Sequence, residues 1–174
     1  KIALVLENFN AVSLKSIIKK TTQNIKLFLK IGINLADTLG QLHAKNILHL
    51  DIKPNNILIN LEQNIVKITD FGISKILTNE SSEIYTPEQT GRTNSAVDHR
   101  TDLYSLGITF YEMLTGVLPF VSSDPIEIIH SHIARTAKIP IKLNSKIPEI
   151  ISDIIMKLIS KNPEERYQSA YGLK

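Results

Sequence analysis

Four side chains within a short stretch of this sequence could act together. Asp51, Lys53 and Asn56 lie in the run His49-Leu50-Asp51-Ile52-Lys53-Pro54-Asn55-Asn56, and Asp70 opens Asp70-Phe71-Gly72. The loose transition state of phosphoryl transfer asks a protein mainly to position groups and neutralise charge. It needs a carboxylate to take a hydroxyl proton, an amide and a second carboxylate to hold magnesium, and a cation near the moving phosphoryl group. Asp51, Asn56, Asp70 and Lys53 supply one of each. Magnesium keeps several waters and binds nucleotide phosphates, so two protein oxygens are enough. Each motif alone is weak, because an Asp in a loop is most often a turn or cap residue. The order carries the inference: the second motif follows the first after one hairpin, then come Thr86-Pro87-Glu88 and an Asp102 at the opening of a helix.

The elements that must position these residues are legible from periodicity. Ile2-Ala3-Leu4-Val5-Leu6 reads as a buried strand leading through Glu7-Asn8 to a connector. Ser13 to Lys20 suits a short helix. From Ile25 to Ala44, apolar residues at Phe28, Ile31, Leu35, Leu39 and Leu42 share one face of a long helix. Ile57-Leu58-Ile59 and Ile65-Val66-Lys67-Ile68 flank polar Glu62-Gln63-Asn64, the pattern of two strands and a turn. Leu103, Leu106, Phe110 and Met113 form a second helical stripe, stopped by Gly116 and Pro119. Asp124-Pro125 and Ile147-Pro148 start two more helices, the last carrying Ile151, Ile154, Ile155 and Leu158.

Composition sets the bounds. A chain of 174 residues fits one domain and can bury roughly 70% of its unfolded surface. With 43% apolar and 21% charged residues, neither disorder nor a fibrous repeat is indicated. The net charge of +3 comes from scattered lysines, so no nucleic-acid partner is expected. Cysteine is absent, which removes disulfides and thiolate metal sites. No apolar run approaches the ~18 residues of a membrane helix, and the default expectation is a cytoplasmic protein. The first and last residues read as cuts through secondary structure, so the chain is expected to be part of something longer.

With the four groups, Thr86-Pro87-Glu88 and Asp102 in this order, the chain resembles the eukaryotic-type Ser/Thr protein kinases. Pro87-Glu88-Gln89-Thr90-Gly91-Arg92, Asp98-His99-Arg100-Thr101-Asp102-Leu103-Tyr104-Ser105-Leu106-Gly107, Leu114-Thr115-Gly116 and Leu118-Pro119-Phe120 are similar to one branch, the kinase domain at the front of large hybrid Ser/Thr–histidine sensor kinases. Ser123-Asp124-Pro125, His130-Ser131-His132-Ile133-Ala134 and Arg166-Tyr167-Gln168-Ser169-Ala170 extend the likeness over nearly the whole chain.

The resemblance implies an α+β, protein kinase-like fold: a mainly α-helical C-terminal lobe with short β-strands, the N-terminal lobe largely absent. Residues 1–9 would be the last N-lobe strand and the hinge, and 10–174 the C-lobe. It makes Asp51 the catalytic base, Lys53 the contact to the γ-phosphate, and Asn56 and Asp70 the magnesium ligands. Glu7 and Phe9 would meet adenine through the hinge backbone, and Leu58 would line the adenine pocket. ATP and Mg2+ are the implied cofactors and a protein the implied substrate, with the missing N-lobe and downstream sensor and histidine kinase domains as partners. Glu88 and Arg166 resemble the family's structural ion pair, Asp102 its anchor for the catalytic-loop backbone, and His49 its buried structural histidine. His130 and His132 are two apart, point different ways on a helix, and read as ordinary, partly exposed residues.

Three departures bear on activity. Leu50 stands where many kinases carry an arginine that binds a phosphate in the activation segment, and leucine cannot bind phosphate. Residues 73–85, between the metal turn and Thr86, are only 13, fewer than the family normally has, and the Gly-Thr expected before Pro87-Glu88 is missing. The Gly-rich loop, the strand lysine and its helix glutamate are not in this chain. An active kinase, a degenerate kinase acting as a regulatory module, and a small-molecule phosphotransferase on the same fold therefore all remain open here; the last class lacks the Pro-Glu and Asp102 signals. From Leu50 it follows that changing Ser81 or Ser82 to Glu should alter phosphate transfer by less than about tenfold in a radiolabel assay of the intact protein. A larger rise, lost again on adding Leu50→Ala, would overturn this.

Overall fold

Local capping chemistry sets where the helices begin. In the computed structural model, which describes residues 9–71, 86–93 and 95–173, the Ser13 side chain accepts a hydrogen bond from the N–H of Ser16 and opens α1 (Leu14–Thr22). Asn24 does the same for α2 (Ile25–His43), and Asp124, followed by Pro125, for α4 (Pro125–Ala134). The helix that carries Asp102, α3 (His99–Thr115), is capped four residues before that aspartate. Asp98 is the N-cap, and Asp102 lies inside the first turn. Gly116 closes α3 in the left-handed conformation at φ 77°, its N–H bonded to the carbonyl of Glu112. A fifth helix, α5 (Glu149–Leu158), follows Pro148.

The strands are few and short. β1 (Val12–Ser13), β2 (Ile57–Asn60) and β3 (Ile65–Ile68) form an antiparallel sheet in that order, with Val12 opposite Ile59 and Leu58 opposite Lys67. The expected strand at Ile2–Leu6 lies outside the described residues.

The core is built around α3. Four apolar positions suggested a stripe, yet every residue from Thr101 to Leu114 is buried. Neighbouring helices cover all its sides, so burial here is set by tertiary packing that a single helix's pattern does not reveal. α2 meets α3 through Phe28 against Phe110, edge to face with ring centres 5.2 Å apart. The buried polar residues of α3 then need partners: Glu112 takes the Lys15 ammonium at 2.6 Å from α1, and Asp102 turns to the loop after α2. Among the described residues, no helix is long and apolar enough to cross a membrane.

Gly107 marks the closest approach to this helix. A Cβ there would come within 2.6 Å of the Leu158 Cβ and 2.8 Å of the Ile159 Cγ2. Overpacking of that kind costs typically 1 to 3 kcal/mol, more than the ~1 kcal/mol that alanine adds in helix propensity. Gly107→Ala should therefore lower the free energy of urea unfolding, and a stabilised variant would show that α5 is not seated as described.

Candidate active site

The loop after α2 has little secondary structure of its own and takes its shape from α3. The Asp102 carboxylate, fully buried, accepts the backbone N–H of Leu50 at 2.7 Å on Oδ1 and that of His49 at 2.9 Å on Oδ2. The His43 Nε2, at the end of α2, lies 2.9 Å from the same Oδ2. Leu50 is thereby held at φ 63°, a left-handed conformation that costs a non-glycine residue roughly 1 kcal/mol or more.

His49 is buried and acts as a spacer. Its Nδ1 accepts the N–H of Asp51 at 3.2 Å, which leaves the proton on Nε2 to be donated to the carbonyl of Thr69 at 3.0 Å. The histidine thus ties the loop to the strand that leads to Asp70, and the ring of Phe71 lies 4.9 Å from its own.

Asn56 fixes the carboxylate of Asp51. Its Nδ2 donates to Oδ2 of Asp51 at 2.9 Å and to the Asp51 carbonyl at 3.0 Å, while the Lys53 ammonium stands 3.3 Å from the same Oδ2. Asp51 is buried and Lys53 partly exposed, so the cation borders the carboxylate on the solvent side. The Asn56 carbonyl accepts both the N–H (2.8 Å) and the hydroxyl (3.2 Å) of Thr69. Asp70, the next residue, turns out at φ 60° with an exposed side chain. Aspartate tolerates this conformation better than most residues.

The structure thus brings together Asp51, Lys53 and Asn56 directly, and Asp70 through Thr69. Phe9 and Leu58 belong to the sheet side. Leu58 is half-buried in β2, opposite Lys67, whose ammonium sits 4.5 Å over the Phe9 ring. The carbonyl of Phe9 accepts the Asn60 Nδ2 at 2.7 Å, which engages one of the two backbone groups expected to meet adenine. Glu7, Gly72, Ser81 and Ser82 lie outside the described residues.

Below the loop, Glu88 and Arg166 form the expected ion pair with side chains 1% and 0% exposed. All five guanidinium protons of Arg166 have acceptors: Glu88 at 2.7 and 3.0 Å, and the carbonyls of Ser160, Arg100 and Lys161 at 2.8 to 3.2 Å. The Tyr104 ring faces the guanidinium at 4.8 Å.

One histidine is corrected by the structure. His130 is exposed, but His132 is buried, with Nδ1 3.0 Å from the Tyr104 hydroxyl and its ring against Phe120. Burial, with the nearby charge of Lys161, pulls its pKa down to about 4. Lys161 in turn donates to the carbonyls of Ser131 and His132 at 3.2 and 2.8 Å, capping the end of α4. Sequence reasoning missed this cluster because no local pattern reports that α4 docks onto α3. It also missed Gln89 and His43, whose partners lie 39 and 59 positions away.

A carboxylate oriented by an amide, flanked by a cation and followed by a second, outward carboxylate, on a helical lobe with a small sheet, is the arrangement expected above for the protein kinase class. The comparisons agree. The protein kinase domain family matches residues 1–173, and the chain belongs to that family. It is 42% identical to a probable serine/threonine-protein kinase of Clostridium perfringens, over 96% of this chain and 26% of that protein. It is 35% identical to hybrid signal transduction histidine kinase G of Dictyostelium discoideum, over 87% of this chain and 7% of that one. The crystal structure of Rad53 1-466 in complex with AMP-PNP superposes with a TM-score of 0.75 at 27% identity, covering 91% of this chain and 42% of that one. The Mycobacterium tuberculosis PknI kinase domain shares the fold at TM-score 0.72 and 18% identity, over 94% of this chain and 59% of that one. The chain spans about a quarter or less of the length of the two curated relatives.

Removing one partner of a buried pair strands the other charge, at a cost of about 3 to 5 kcal/mol. Glu88→Ala should lose that much in urea unfolding, while Arg135→Ala, whose pair with Glu127 is more than half exposed on both sides, should lose under about 1 kcal/mol. Equal losses would show that the Glu88 pair is not structurally central.

Proposed function

We propose that this chain is the large lobe of an active protein kinase that transfers the γ-phosphoryl group of ATP to Ser or Thr of a protein substrate. The observation that carries this reading is the clamp of Asn56 on Asp51 with Lys53 alongside, since a module that had lost catalysis would not need all three. Asp51 accepts the proton of the substrate hydroxyl as its oxygen bonds to the γ-phosphorus and ADP departs. Lys53 holds the transferred group, and as the residue two places after the base it favours Ser and Thr over Tyr.

The donor set fits magnesium. Asn56 spends its Nδ2 on Asp51, which turns its Oδ1 into the available hard ligand, and the outward Asp70 supplies a carboxylate. Bound there, the ion would neutralise charge on the nucleotide phosphates. Leu58 would line the adenine pocket, with the backbone of Glu7 and the N–H of Phe9 as its hinge contacts. Residues 1–9 serve in this reading as the last strand of the small lobe plus hinge, and 10–174 as the large lobe. The small lobe, the sensor domains implied by the resemblance, and a histidine kinase part of the kind the Dictyostelium relative's name gives complete a cytoplasmic signalling protein.

Leu50 and the short 73–85 segment favour a second reading, a catalytically impaired regulatory module. Asp51→Asn separates the two. In the intact protein, with radiolabelled ATP and a general Ser/Thr substrate, it should reduce transfer by 10²-fold or more, in line with loss of a general base. A loss of only a few-fold, or no transfer by the unaltered protein, would favour the regulatory module.

A further inference from the structure

The Leu50–Asp51 peptide group sets the direction of the Asp51 side chain, and both of its ends are bonded. Its N–H goes to the Nδ1 of His49, as described above. Its carbonyl, that of Leu50, accepts the side-chain Nε2 of Gln89 at 3.1 Å. Gln89 belongs to a turn, Glu88–Thr90, far away in sequence.

The orientation of that amide is determined by its other end. The Oε1 of Gln89 accepts the Thr86 hydroxyl at 2.9 Å and the Thr86 N–H at 3.4 Å. A flipped amide would set its NH2 against a backbone N–H, so the donor end must face Leu50. The base of the turn is rigid too: Gln89 donates its own N–H to the Thr86 carbonyl at 3.1 Å, and Glu88 beside it is locked to Arg166.

We propose that Gln89 is a positioning residue for the catalytic loop, its side-chain amide joining the 86–90 turn to the carbonyl of Leu50 and so orienting Asp51 without any phosphate. Where a kinase carries arginine in place of Leu50, a phosphate can tie the two segments through the side chain. Here a neutral amide ties them through the backbone, and the tie needs no modification. Leu50, strained at φ 63°, is held from both flanks, by Asp102 at its N–H and by Gln89 at its carbonyl. The proposal rests on the reading of Asp51 as the base.

Gln89→Glu tests it. The carboxylate keeps an acceptor for Thr86 but puts an oxygen where the donor to Leu50 stood. Gln89→Met, neutral and of similar length, serves if the added charge prevents folding. In the intact protein, kcat should fall about tenfold or more with the KM for ATP within about twofold. Hydrogen exchange at the Asp51 amide should speed up about tenfold while amides of α3 stay protected. An unchanged kcat overturns the proposal, and so does an unchanged exchange rate. Lower stability with kcat per folded molecule intact would show a merely structural residue and overturn it as well. Asp51→Asn, run alongside, separates the two claims: if it still transfers phosphate, the reading of the base fails, while faster exchange in Gln89→Glu would still report the tie.

Discussion

A carboxylate shut away from water must be solvated by the protein around it, and Asp102 is solvated by the loop that carries Asp51. Two backbone N–H groups and a histidine nitrogen converge on it. Bonds to a charged acceptor are among the stronger hydrogen bonds in proteins, and leaving one unmade in the interior is costly. The arrangement therefore works in both directions: the helix cannot bury Asp102 without the loop, and the loop has no defined path without Asp102. Leu50 in a left-handed conformation, His49 in one tautomer, and Asp51 facing Asn56 all follow from where that carboxylate sits.

The same logic extends down the lobe. α3 is buried on every side, and three of its polar residues act as sockets into which other segments plug: Asp102 for the loop, Glu112 for α1, and the Tyr104 hydroxyl for His132 of α4. Arg166 joins the turn at Glu88 to the C-terminal segment with every donor satisfied. Ion pairs buried this deeply add less to stability than their number suggests, because desolvation opposes them. What they fix is geometry, and a positioned carboxylate needs geometry most.

Much of this was legible from the residues, for reasons that differ by element. Helix ends at Ser13, Gly116 and Asp124-Pro125 are set by capping within a few residues, and the hairpin 57–68 by alternation around a polar turn. The candidate groups were legible because Asp51, Lys53 and Asn56 lie at short offsets in one loop and Asp70 follows shortly after the hairpin. The apolar stripe of α3 understated its burial, since Thr101, Ser105 and Thr109 look like surface residues until the neighbouring helices are in place. His132 was misread for the same reason. Gln89 lies beside Pro87-Glu88, but nothing local shows that a side chain in one turn reaches the backbone of a loop 39 positions earlier.

Leu50 finds its anchor 52 positions further along the chain, and Glu88 its partner 78 positions on. Closing loops of that length costs entropy before any contact returns it, so structures built this way assemble slowly and late. The loop bearing Asp51 therefore has no local source for its shape, which it takes from the docked α3. Chains interrupted before that docking carry all four chemical groups and no site, which makes the geometry of Asp51 a report on complete folding of the lobe.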